Sequence, residues 1–442
     1  MFVKQSLLMP RHQRYLAVFS FLILLSSSYY FFELLIPRVR AADAVSNRAG
    51  GYRYDSDLYP IWVGSRELFQ GRDPYAPALT AQIETGLYGR PLDRSHAIDA
   101  HVNMRAFAYP LYTIFLYAPI AAVPFPQVQI VISIILPALA ALTVVLWLRV
   151  LRTHFCWPGY LAAICLTLAS YPVLEGIYAG QPGLLVALFI AGTFVALGRG
   201  QYVLAGVLLP LASVKPQLVM PIALWMLGWA LSRWSERKRF LLSFLATTLV
   251  LLTASFCVLP HWYSEWMHML LEYRLISPPP LSQSVLGRFA GGIVVLFVFS
   301  VSAWLCWKNR SQPADSEGFL LSTVFVLTAT VLIFPSAIAV YDQFLLLPAA
   351  LWLFTRRNRL LDARVAVRSL ALLVMAVLSW QWLAAFGVVI SSILFPPVAH
   401  SPTVLLLPLR TAASVPFALT GLLCVVAMRQ QAKESLDSQP QV

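Results

Sequence analysis

Uninterrupted apolar runs about twenty residues long recur through this chain and limit what it can fold into more than any other feature. Residues 15–36, 240–259, 289–307, 367–390 and 404–428 are the clearest. At a rise of about 1.5 Å per residue, a helical run of this length reaches across the hydrocarbon core of a bilayer. Inside lipid every backbone N–H and C=O must find its partner in protein, and a helix provides that partner within its own segment. The expected fold class is therefore an all-α polytopic membrane protein with roughly 11–13 spans. Composition agrees: 59% of residues are hydrophobic and 12% charged, about half the charge of an ordinary soluble domain. The first run is long, lacks a small-residue cleavage site and keeps a basic flank, which predicts a signal anchor.

The net charge is +13, yet residues 37–104 are neutral, with eight Lys/Arg and eight Asp/Glu. The excess lies in short breaks between apolar runs, at Arg233, Arg237, Lys238 and Arg239 and again at Arg356, Arg357 and Arg359. That is how cytoplasmic loops of membrane proteins are marked, not how a polyanion-binding face is built. Membrane lipids are expected partners and nucleic acid is not. Lys4, Arg11 and Arg14 place the N-terminus in the cytoplasm, so residues 37–106 form a first external loop. Residues 260–288 form a second external segment, and a polar tail begins near Arg429. Residues 1–428 read as one integral membrane domain. The five cysteines stand singly, without a metal-ligand or CxxC spacing.

The first external loop is the only long polar segment, and such loops on a rigid scaffold commonly carry function. Within it Leu58, Ile61, Trp62, Leu68 and Phe69 fall on one helical stripe, predicting an amphipathic helix over 57–69. Ser56 is the expected N-cap and Gly71 the expected stop. Asp57 in its first turn could serve as a general base, help to hold a divalent cation, or simply complement the helix dipole. Lys215, in an apolar stretch broken by Pro210, Pro216 and Pro221, is either a phosphate partner facing a cavity or a snorkelling lysine. Arg288, preceded by Gln283 and Ser284, either holds a lipid phosphate or anchors a helix end. Gln181 opens a span, and Glu175 and Asp342 are further acidic residues in or near spans. His96 and His101 have no metal-ligand spacing, and no metal site is assigned. No phosphate-binding glycine loop, dinucleotide fingerprint or Ser-His-Asp motif occurs, so an activated substrate is expected to arrive on a lipid.

These residues form an ordered set that resembles glycosyltransferase family 87, which includes bacterial polyprenyl-phosphate-mannose-dependent mannosyltransferases. Asp57, the aromatic helix after it and Gly71-Arg72-Asp73-Pro74-Tyr75 resemble the family's opening motif. Phe107-Ala108-Tyr109-Pro110 resembles a Phe-x-Tyr-Pro-Pro motif, with Leu111 for the second proline, and Pro119 and Pro124-Phe125-Pro126 match its proline-rich end. Gly180-Gln181 resembles a Gly-Gln-x-Asn motif with Gly183 for the asparagine, and Lys215-Pro216 matches a Lys-Pro. Gln283-Ser284 and Arg288 are similar to an Asn-Gln-Ser…Arg segment, with Ser282 for the asparagine. Tyr341-Asp342-Gln343 stands where many relatives have a His-containing segment.

The resemblance implies a glycosyltransferase C-type helical bundle with juxtamembrane helices in the first external loop. It implies inverting transfer of a hexose, mannose first, from a polyprenyl-monophosphate donor to a lipid or glycan acceptor, outside the bacterial cytoplasmic membrane. Asp57 inherits the catalytic base. Asp55, Tyr109, Gln181, Lys215, Gln283, Arg288 and Asp342 form the candidate substrate-binding set, and no cofactor is implied. A lipid-linked substrate transporter or flippase is the alternative; it predicts an internal pseudo-symmetry that the sequence does not show. The topology has one conflict. The superfamily's helix count favours two crossings in residues 107–149, leaving Arg149 and Arg152 outside to face a phosphate; the charge rule favours one crossing and places them inside.

Overall fold

The computed structural model describes residues 10–45, 56–96, 99, 102, 104–153, 155–335, 339–399 and 401–437. Every regular element among them is helical. Six helices are long and apolar enough to cross a bilayer: His12–Ala42, Phe125–Val150, Trp234–Val258, Leu281–Asn309, Val365–Leu394 and Leu407–Arg429. The pair Trp157–Leu168 and Tyr171–Ala179, bent by 65°, makes a seventh if it is one span, and five shorter apolar helices of 10–17 residues pack among them in the described residues. The protein is an all-α polytopic membrane protein. Its last helix runs on through the polar residues to Asp437, further than the tail boundary expected near Arg429.

Burial separates two kinds of pass. Trp234–Val258 and Leu281–Asn309 keep most of their surface outward, whereas Pro182–Gly198 and Glu317–Ile333 are buried along most of their length. The buried pair lies in a core with Trp147, Trp225, Trp229 and Trp352. A helix enclosed by other helices need not match the bilayer thickness, because its ends meet protein rather than lipid. Pro182–Gly198 begins at Gln181 and Pro216–Ser232 begins at Lys215, so both broken ends open onto one place.

The two-crossing expectation for residues 107–149 does not hold. Helix Thr113–Ala121 has nine residues, about 13 Å, and packs on Leu58–Phe69 instead of crossing. Pro124, extended at ψ 137°, separates it from the single crossing Phe125–Val150. Arg152 pairs with Asp315 at 2.5 Å, while Arg237 donates to the carbonyls of Arg310 and Gln312, both at 2.8 Å. Gln312 and Asp315 share one loop, so Arg152 lies at the same end as Arg233–Arg239. All three arginine clusters meet there, since Arg356 pairs with Glu317 just beyond Asp315.

The first loop lies at the opposite end. Helix Leu58–Phe69 buries Leu58, Ile61 and Trp62 against neighbouring helices, while Phe69 stays 64% exposed. Gly71, at φ 77°, ends the helix as expected. The N-cap is Asp57 rather than Ser56, and the Asp57 carboxylate makes no capping bond. The loop's charges pair internally: Arg90 grips Asp99 at 2.6 and 2.8 Å, and Arg72 holds Glu67. The second segment's helix Trp262–Ile276 docks on this loop through Trp266 Nε1, which donates to the Ala108 carbonyl at 3.1 Å.

Candidate active site

The motifs of the first loop hold one another in place. Asp73 Oδ1 accepts from the Tyr75 N–H at 2.8 Å, closing the turn that aims Tyr75. The Tyr75 hydroxyl donates to the Tyr109 carbonyl at 2.8 Å. Gly64 lets the Phe107 ring approach so closely that a Cβ there would lie 2.8 Å from it. Trp62 Nε1 donates to the Val123 carbonyl at 2.9 Å, and the Phe125 ring packs on Tyr59 and Trp62. The aromatic helix and the two proline motifs are thus one packed unit that presents Asp57.

Asp57 is fixed to the bundle from a second direction. Its N–H donates to the Ala179 carbonyl at 2.9 Å. The next residue, Gly180, has φ 66°, and a Cβ there would lie 2.8 Å from Leu58 Cβ. Only glycine both adopts that backbone conformation and allows the approach. This turn brings the Gln181 side chain to the Asp57 carboxylate.

From there a polar chain runs into the bundle. Arg105 Nη1 donates to Asp57 Oδ1 at 2.6 Å. Gln181 Nε2 donates to Asp57 Oδ2. Lys215 Nζ donates to Gln181 Oε1 at 2.8 Å and to Asp342 Oδ1 at 2.9 Å. The ammonium also lies 4.6 Å from the centre of the Tyr341 ring. Two ion pairs, Arg105–Asp57 and Lys215–Asp342, are joined through the neutral Gln181 amide, so each of these four charges has a partner. The Asp57 side chain keeps 15% of its surface exposed, whereas Lys215 and Asp342 keep 6% and 4%.

Tyrosines complete the surroundings. Burial holds the Tyr109 phenol well above its usual range, and the Asp57 charge adds to this. Burial likewise pushes Tyr273, on helix Trp262–Ile276, up to about 12. Both remain neutral hydroxyls near physiological pH, able to donate or accept next to an anionic or sugar group.

The structure thus joins four of the expected residues, Asp57, Gln181, Lys215 and Asp342, with Tyr109 beside them. Gln283 and Arg288 are not part of the chain. They sit at a corner where Gly287 (φ 80°, ψ 165°) breaks helix Leu281–Asn309 and Gln283 folds back over Gly291. Arg288 is exposed there, and Gln283 half-buried. Asp55 and His101 lie outside the described residues, and His96 pairs with Asp93 at 2.9 Å. Arg105 is the partner that sequence reasoning missed. The available signal was a basic residue two positions before Phe107, in a loop whose other charges balance.

The family model of glycosyltransferase family 87 matches residues 107–335. The chain belongs to that family. Among curated proteins no match was found. The matched span contains Tyr109, Gln181, Lys215, Gln283 and Arg288 but stops short of Asp57 on one side and Asp342 on the other. Hydrogen bonds bring both outlying acids to the family-87 core. Gly183 lies at this junction, and a Cβ at that position would lie 3.1 Å from Asp342 Oδ1. The missing side chain leaves the room that Asp342 occupies in reaching Lys215.

Proposed function

We infer that this membrane glycosyltransferase is an inverting enzyme that moves a hexose, mannose in the first instance, from a polyprenyl-monophosphate donor to a lipid or glycan acceptor. The observation that carries the reading is Asp57 itself: a carboxylate fixed through both oxygens, still partly exposed, where the juxtamembrane helix meets the broken ends of buried helices. In a single displacement Asp57 takes the acceptor hydroxyl proton. The acceptor oxygen then bonds to the anomeric carbon from the face opposite the phosphate. The bond from that carbon to the phosphate oxygen breaks, and its electron pair leaves with the polyprenyl phosphate. The N-termini of Pro182–Gly198 and Pro216–Ser232 offer positive dipole ends to the growing charge, and Arg288 an exposed guanidinium near the same end.

The site faces outward in this reading because the three arginine clusters, gathered at the other end, mark the cytoplasmic side of a bacterial inner membrane. Family membership favours transfer over transport of a lipid-linked substrate. The decisive experiment incubates the purified protein with labelled polyprenyl-phosphate mannose and a total membrane lipid extract. A labelled product other than free sugar supports the reading, and none with any polyprenyl-phosphate hexose rejects it. Sidedness is tested separately. Ser95 is exposed in the first loop, and Ser95→Cys in a background without native cysteines should react with an impermeant thiol reagent in intact cells. Reaction only after the membrane is opened would place the site inside.

A further inference from the structure

Lys215 is the basic residue that the sequence offers for the donor phosphate, yet its ammonium is already engaged on three sides. Gln181 Oε1 and Asp342 Oδ1 accept from it at 2.8 and 2.9 Å, and the Tyr341 ring lies under it at 4.6 Å. An ammonium has three donors and no acceptor. Lys215 is 5% exposed and Gln181 wholly buried. A phosphate could reach Nζ only by displacing Gln181, Asp342 or the Tyr341 ring.

The same contacts decide how Gln181 is turned. An amide can present either its oxygen or its nitrogen to a neighbour. Lys215 can only donate, so it requires Oε1; the Asp57 carboxylate can only accept, so it requires Nε2. Only one orientation of the Gln181 amide satisfies both. Asp342 in turn holds Lys215 against Gln181, in the space that Gly183 leaves open.

We propose that Lys215 and Asp342 are positioning residues for the base, acting through Gln181. They lock the amide so that one N–H always meets Asp57 Oδ2, while Arg105 holds Oδ1. The carboxylate then keeps one direction toward the acceptor hydroxyl throughout turnover. Misplacement of a reacting group by about 1 Å can slow a reaction about 100-fold, which is the scale of what such a lock protects. This assignment rests on the reading of Asp57 as the general base.

Two variants test it, each assayed for transfer from labelled polyprenyl-phosphate mannose to the membrane lipid extract across a pH series. Lys215→Met combined with Asp342→Asn removes both buried charges together and frees the amide. Apparent kcat should fall about 10- to 100-fold with donor KM nearly unchanged. Gln181→Glu keeps the shape and the bond to Lys215 but sets a second carboxylate against Asp57. The groups facing Asp57 are Arg105 and Tyr109 from the loop, Tyr273 from helix Trp262–Ile276, Tyr341 and Asp342 from segment Val340–Leu346, and Lys215. Against that background a new anion beside Asp57 makes it easier to protonate, so the acid limb of the pH profile should move to higher pH. The double variant should move it the same way, since a hydrogen bond to the charged form is lost.

A raised donor KM with unchanged kcat and acid limb in the double variant would overturn the proposal and make Lys215 a donor ligand. An unmoved acid limb in Gln181→Glu would overturn it as well, and that variant decides if the double variant fails to fold. Asp57→Asn separates the two readings: where it abolishes transfer, Asp57 stands as the base and an unmoved acid limb counts against the lock alone, whereas near-normal transfer overturns the base itself.

Discussion

Arg152 meets Asp315 at 2.5 Å with both side chains half exposed, and at the opposite end of the bundle Lys215 meets Asp342 at 2.9 Å with both nearly enclosed. The chemical types and distances are similar, but the surroundings differ. At the basic end the charges face water or grip backbone: Arg237 alone donates to carbonyls of Trp229, Arg310, Ser311 and Gln312. They close the loops at that end. At the site end charges that lipid and protein both disfavour are kept as two ion pairs, Arg105–Asp57 and Lys215–Asp342, bridged by Gln181. Buried charges of this kind are expensive unless paired, and in membrane proteins they concentrate where substrates pass.

The comparison breaks most visibly at Asp57. If the site-end charges serve chemistry, Asp57→Asn should lower transfer by about 100- to 10,000-fold, the usual contribution of a general base. Donor binding should change little, because the base acts on the acceptor. Asp55→Asn shares the local charge and should lower transfer far less. Equal losses from both would indicate a structural or metal-binding pair of acids. Near-normal turnover in Asp57→Asn would move the search to Glu175 or Asp342.

The Lys215–Asp342 pair offers the next largest effect, on stability. Removing one partner of a buried pair leaves the other uncompensated, which typically costs about 3–5 kcal/mol, whereas neutralising both is often close to harmless. Thermal unfolding in detergent should therefore show Lys215→Met well below the parent protein, and Lys215→Met with Asp342→Asn much nearer to it. Additive losses would mean that the two residues do not sense each other.

Much of the fold was legible because the bilayer imposes one length and one polarity on every outward-facing pass. Residues 15–36, 240–259, 289–307, 367–390 and 404–428 each overlap one of the long helices to within three residues. The buried passes were harder, since Pro182–Gly198 and Pro216–Ser232 answer to protein neighbours rather than to bilayer thickness. The short helix Thr113–Ala121 reads as a crossing on the superfamily's helix count although the charge rule opposes it, and its apolarity does not decide, since a lipid-facing helix and one packed on Leu58–Phe69 look alike. In the site, Asp57, Gln181, Lys215 and Asp342 stood out as polar residues at helix ends or within apolar stretches. Their connection did not, because 285 residues separate the first from the last and nothing local records the pairing. Arg105 was hidden for the opposite reason: one arginine in a loop with many charges carries no mark of its partner.

The smallest expected effect is also the sharpest control on the comparison. Arg152→Ala removes an ion pair that is shorter than Lys215–Asp342. If distance determined the worth of a pair, this substitution would be the more damaging. Each of its side chains is half exposed, so water and salt screen the attraction, and the freed charge is simply hydrated. Exposed pairs of this kind contribute about 0–1 kcal/mol, so thermal unfolding should shift only slightly and transfer not at all. The residual effect should shrink further as salt is raised, while the Lys215→Met defect should persist, since salt does not penetrate to a buried pair. A salt-independent loss at Arg152 comparable to that at Lys215 would show that the basic end, too, holds its charges in a closed environment, and the contrast between the two ends would fail.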